Sequence, residues 1–156
     1  MTIAALSVPL LSFSQTDSSA YSVAKVHRQQ SFGRTVPHGD YSGIAYIGNE
    51  RYAVVSDKSS EDGFFIFHIV IDSVTGRIKS VADEGFRSAT QPNRDQEGIT
   101  FAPETNTLFI SGEADNRIKE YSLDGKLTGR EIEVPQVFAS ATSNYGFESL
   151  TYNSKT

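Results

Sequence analysis

Apolar and polar residues alternate in short runs along most of the chain, and no run keeps the three-to-four spacing of a long amphipathic helix. The runs are GIAYI at 43–47, RYAVVSD at 51–57, GFFIFHIVID at 63–72, RIKSV at 77–81, GITFA at 98–102, TLFISGE at 107–113, RIKEYSL at 117–123 and EIEV at 131–134. Their period of two and their Val, Ile, Phe and Tyr content predict strands. Gly48-Asn49, Thr75-Gly76, Asp124-Gly125 and the PETN of 103–106 stand where hairpin turns are needed. The expected strands are Gly43 to Ile47, Arg51 to Ser56, Gly63 to Asp72 and Arg77 to Val81, then Gly98 to Ala102, Thr107 to Gly112, Arg117 to Leu123 and Lys126 to Val134. The fold class is all-β.

A repeat organises these strands. DYSGIAY at 40, DQEGITF at 95 and YGFESLTY at 145 align on Gly43, Gly98 and Ser149, with offsets of 55 and 51 residues. Four antiparallel strands every ~40 to 50 residues is the period of β-propeller blades. A lectin-like sandwich would also show hairpins, but it has no reason to repeat an acidic strand start. The reading is two complete four-stranded blades and the first strand of a third. A chain that stops inside a blade leaves that strand without neighbours, so the remainder of the propeller is expected to be missing and the chain to be truncated.

Ahead of the strands, residues 15–37 are rich in Ser and Gln and read as a leader, with one strand expected at Tyr21 to Val26. The apolar stretch Ile3 to Phe13, followed by small residues, reads as a signal peptide over 1–14. It is too short to span a membrane, no other span is expected, and the protein is expected to be periplasmic or secreted. The propeller domain then occupies 38–156.

Composition narrows the chemistry. The 156 residues carry a formal charge of −5, and Lys and Arg are scattered singly, so nucleic acid is not an expected partner. With no cysteine and three separated histidines, thiolate nucleophiles and Cys-based zinc sites are excluded. Oxygen-loving cations are the ones left to consider.

In a blade the innermost strand starts at one face and the second strand returns to it, so a strand start and the next strand's end are neighbours. Asp40, Asp95, Glu97 and Glu148 lie at or just before starts, and Asp57 and Glu113 close second strands. These six acids should surround the mouth of one channel, where close like charges repel by about 1 to 4 kcal/mol. Two arrangements relieve the repulsion. Each acid can cap its own turn or pair with Arg94, Arg117 or Lys58, or several can hold a divalent cation, most plausibly calcium. Gly43 and Gly98 are expected to let the backbone pass close to the channel axis.

SGIAYIGNERYAVVSDKS, DQEGITFAPETNTLFISGEADNRIKEYSLDGKL and NYGFESLTY together resemble the phytase-like family, whose description is an esterase-like activity of phytase. The resemblance spans residues 41–152 and rests on the order of the motifs rather than on any one of them. It implies a β-propeller-like fold, an exported protein and hydrolysis of a phosphoester or phosphodiester. Carried over position by position, the acidic motif residues are Asp57, Asp95, Glu97, Glu113 and Glu148, with Asn144 ahead of the third strand start. Ser42 stands where Glu97 and Glu148 stand in the later repeats, so any metal site is asymmetric.

The enzymatic expectation is calcium-dependent attack of water on a phosphorylated small molecule. It uses Asp95, Glu97 and Glu148 as catalytic residues, Asp57, Asp95, Glu97, Glu113 and Glu148 as metal ligands, and Arg94, Arg117 and Asn144 to hold the substrate. A serine hydrolase is disfavoured, since G-x-S-x-G is absent and His27, His38 and His68 give no base placed beside a nucleophile. The rival from another class is a non-catalytic propeller that binds a sugar, peptide or envelope component.

Overall fold

The computed structural model describes residues 26–139 and 146–155. The expected signal peptide, residues 15–25 of the leader and Asn144 lie outside them. Among the described residues are eight strands and one short helical turn, and no helix is long and apolar enough to cross a membrane.

The strands are β1 (Tyr41–Gly48), β2 (Arg51–Ser56), β3 (Glu61–Ile71), β4 (Ile78–Pro92), β5 (Gln96–Ala102), β6 (Thr107–Gly112), β7 (Arg117–Ser122) and β8 (Leu127–Ile132). The turn is α1 (Gln136–Ala139). They form two four-stranded antiparallel sheets, each in sequence order, β1-β2-β3-β4 and β5-β6-β7-β8. Short connections explain the order, because a two-residue hairpin can only return a strand beside itself. Between β1 and β2, Gly48 pairs with Arg51, and Asn49 and Glu50 carry φ of 52° and 59°, the double left-handed geometry that matches strand twist.

Strict alternation assigns the two faces of the first sheet. Ala45, Ala53, Val55, Phe64 and Ile66 point to the second sheet and close a core with Ile99, Leu108, Ile110 and Tyr121. Each such large side chain contributes about 1.5–3 kcal/mol by leaving water. The intervening Val54 and Phe67 point the other way, where Val81 joins them and Phe32 and Val36 of the expected leader pack over them. The last part of that leader is therefore part of the packed structure.

Two strand expectations change. β4 runs to Pro92 rather than stopping at Val81, and its second half pairs with the beginning of β3, Gly63 opposite Ser88 and Glu61 opposite Pro92. As the outer strand, largely open to solvent, it needs no alternating pattern, and register shifts interrupt its ladder. The strand expected at the third repeat is not formed: residues 146–155 are irregular. They nonetheless lie against the second sheet, with Ser111 Oγ donating to the Phe147 carbonyl at 3.0 Å.

Candidate functional site

The ends of β2 and β6 meet the chain just ahead of β1 and β5, as the repeat requires. Asp57 N–H donates to the Asp40 carbonyl at 3.1 Å, and Glu113 N–H donates to the Asp95 carbonyl at 2.9 Å. The same backbone bond thus closes both repeats. Gly43 and Gly98 also play one role. A Cβ at Gly43 would sit 2.6 Å from the Glu97 carbonyl oxygen, and one at Gly98 2.8 Å from the Leu150 nitrogen. Each glycine admits the backbone of the following repeat's start.

Between the two sheets the acids gather unequally. One oxygen each from Asp57, Asp95 and Glu97 lies within 4.8 Å of the others. Asp95 is held at φ 57°, a left-handed conformation that its neighbour supports: the Asn93 Oδ1 accepts from the Asp95 N–H at 2.6 Å. Lys58 Nζ stands 3.0 Å from both an Asp57 and an Asp95 oxygen, and these two acids, hydrogen bonds first, raise its pKa. The second Asp57 oxygen, Oδ1, is buried with no hydrogen-bond partner.

Glu97 titrates above the ordinary carboxylate range. Partial burial is the main cause, a hydrogen bond with Ser42 opposes it, and the like charges of Glu148, Asp57 and Asp95 reinforce it. Ser42 therefore touches the acid it replaces in the repeat. Glu148 is exposed and acts on the group through its charge. Glu113 is buried apart from the three, with Oε1 accepting from the Gly146 N–H at 3.4 Å. Asp40 is exposed and contributes its carbonyl.

The two arginines expected to steady a substrate are placed differently. Arg94 is buried. Its Nε donates to Asp62 at 3.1 Å, one terminal nitrogen to both oxygens of Asp115 at 2.9 and 3.0 Å, and the other to the Ile110 carbonyl at 3.2 Å. Its guanidinium is thus engaged with two carboxylates and a backbone carbonyl inside the protein, where the sequence led to the expectation of a substrate contact. Arg117 is exposed at the start of β7 and pairs with Glu131 on β8 at 3.3 Å. Of the histidines, His68 sits opposite Arg51, at the far end of the first sheet, 3.4 Å from Glu50. His38 is exposed.

Sequence reasoning missed Asp62, fully buried at the junction of the sheets, and Gln96 and Asn93, which bond around it. In the polar run SSEDG nothing separates a buried Asp from a solvated one, since its partners lie more than thirty residues away.

The sequence from residue 36 to 156 matches the family model Phytase-like, described as esterase-like activity of phytase. The chain belongs to the phytase-like family. No curated protein matches it. Membership makes this a hydrolase-type family by description, and among the described residues of this phytase-like chain the Asp57, Asp95 and Glu97 group could hold an ion. Three features fit a hard cation there: oxygen-only donors, a buried carboxylate oxygen left unpaired, and a Glu97 carboxyl that resists ionisation beside its neighbours.

Proposed function

We propose that this phytase-like protein hydrolyses a phosphoester or phosphodiester with the help of calcium held by Asp57, Asp95 and Glu97. The observation that carries the reading is the convergence of those three carboxylates, with Asp57 Oδ1 buried and unpaired. A bound divalent cation would neutralise phosphate charge and acidify water. Glu97, whose carboxyl keeps its proton to higher pH than usual, is suited to exchange a proton with water or a leaving oxygen, and Ser42 orients it. Glu148 supplies negative charge at the outer rim, and Arg117 is the exposed cation left to contact a phosphate after Arg94 is committed to the interior. Glu113 supports the Gly146 backbone rather than the three-acid group.

The reading includes a β-propeller in which the two sheets are consecutive blades. Its support is that residues 149–150 lie on Gly98 as the start of β5 lies on Gly43. It also places the protein in the periplasm or outside the cell, supported by the apolar stretch Ile3 to Phe13 ahead of small residues.

The test is hydrolysis of a chromogenic phosphodiester with and without a chelator. The expected result is turnover that stops in chelator and returns with calcium. Turnover that persists in excess chelator contradicts the mechanism. One observation favours the rival reading of a non-catalytic binding module: Lys58 already pairs with both Asp57 and Asp95 without any ion. Calcium binding without any phosphoesterase activity would select that reading.

A further inference from the structure

Residues 94–97 alternate between two destinations. Arg94 and Gln96 are buried, and both reach Asp62, while Asp95 and Glu97 turn to the three-acid group. Asp62 belongs to the first sheet and is fully buried. Its Oδ1 accepts from Gln96 Nε2 at 2.6 Å and its Oδ2 from Arg94 Nε at 3.1 Å. The Tyr121 hydroxyl donates to the same carboxylate, at 2.9 and 2.8 Å to its two oxygens. Around this anchor, Asn93 donates to Gln96 Oε1 at 2.9 Å and to Ser59 Oγ at 2.7 Å, while its own oxygen accepts from the Asp95 N–H.

A buried ion pair between packed sheets is costly to desolvate, and hydrophobic residues of the same volume often serve stability as well. Here the pair does something a hydrophobic contact would not. It fixes the residues on both sides of Asp95, whose backbone is held left-handed at φ 57°. Asp57 comes from the first sheet and Asp95 and Glu97 from the second, so the three oxygens stay together only while the start of β5 is registered against the first sheet.

We infer that Asp62 is a positioning residue for the cation group, holding Asp95 and Glu97 against Asp57 through Arg94 and Gln96. The inference rests on the calcium reading above. Its role is directional: loosening Asp62 from Arg94 and Gln96 separates the ligands, whereas loosening it from Tyr121 alone does not.

The experiment is calorimetric titration of calcium into the full chain, the Asp62→Asn variant and the Tyr121→Phe variant, each checked for folding by circular dichroism and for thermal stability. Both substitutions remove a hydrogen bond at the same buried carboxylate and both lower the melting temperature. Asp62→Asn is expected to weaken calcium by about tenfold or more, the scale of one lost charge-assisted contact, while Tyr121→Phe stays within about twofold. If Asp62→Asn does not fold, Gln96→Leu replaces it, with a loss of severalfold expected. Equal calcium affinity across the variants, or equal losses in the anchor variant and Tyr121→Phe, overturns the positioning role. Failure of the unaltered chain to bind calcium overturns the calcium reading and this inference with it, an outcome distinct from binding that ignores Asp62.

Discussion

The two strand starts, at Gly43 and Gly98, share a scaffold and differ in chemistry. Both are closed by a backbone bond from the following strand's end, and at both glycines a Cβ would come within 3 Å of the next repeat's backbone. Yet Ser42 stands where Glu97 does. Asp57 joins the three-acid group, and its counterpart Glu113 is buried beside Gly146. Lys58 follows Asp57, whereas Ala114 follows Glu113. What repeats is what backbone packing needs, and what departs from the repeat collects in one place, between the first start and the second.

The glycines give the largest test of that comparison. Gly43→Ala drives a Cβ into the carbonyl of a residue in a paired strand, so a loss of about 3 kcal/mol is expected by urea denaturation. Gly98→Ala meets the backbone of residues 149–150, which carry no strand pairing, and the buried Ser111 hydroxyl, and should cost about 2 kcal/mol. Equal losses would mean that these neighbours yield no more readily than the Glu97 backbone of β5.

The strand ends come next. Asp57→Asn is expected to weaken calcium by about tenfold, roughly 1.4 kcal/mol, and Glu113→Gln by less than twofold, read by the same calorimetric titration. A larger effect at Glu113 would reverse the assignment of the site to the first of the two ends.

A smaller effect is expected at Lys58. Its exposed ammonium occupies the position between Asp57 and Asp95 that a cation would take, so Lys58→Met should tighten calcium by about threefold, the scale of a surface ion pair. Weaker binding in that variant would show that Lys58 supports the site rather than competing for it.

The smallest effect is in pH. Because the Glu97 pKa is raised, the native state holds a proton that the unfolded chain has released, so Glu97 makes stability fall as pH climbs from the ordinary carboxylate value to its own. Asp115 and Glu120 act oppositely. Burial pushes both up, but Arg94 and Lys119 beside Asp115, and Thr128, Thr107 and Arg130 beside Glu120, bring them lower on balance. Their stability is present above the ordinary carboxylate value and is lost as pH falls through the lowered one. Calcium affinity should rise with pH through the Glu97 range, and Glu97→Gln should flatten that slope, as titrations at several pH values would record.

Much of this fold was legible because most strands face a core and carry its period of two. Phe64 and Ile66 against Phe65 and Phe67, or Ala53 and Val55 against Val54, declare two faces without any structure. The second half of β4 did not, since Asp83, Glu84 and Gly85 are free of that demand. At the site, the repeat located Asp57, Asp95 and Glu97, whose roles follow from strand starts and ends. Arg94 misled because an arginine beside an acidic turn looks solvated in sequence. Only the distant Asp62 and Asp115 show that it is drawn inward, and a single sequence carries no mark of either pairing.

The proposed function requires three carboxylates between the first and second repeats to hold a hard cation. Titrating calcium into the metal-stripped protein, alone and with Asp57→Asn and Glu97→Gln combined, tests it most directly. The expected result is saturable binding to the unaltered chain that is lost in the double variant while both remain folded. Calcium binding that survives the double substitution, or none in the unaltered protein, would contradict it.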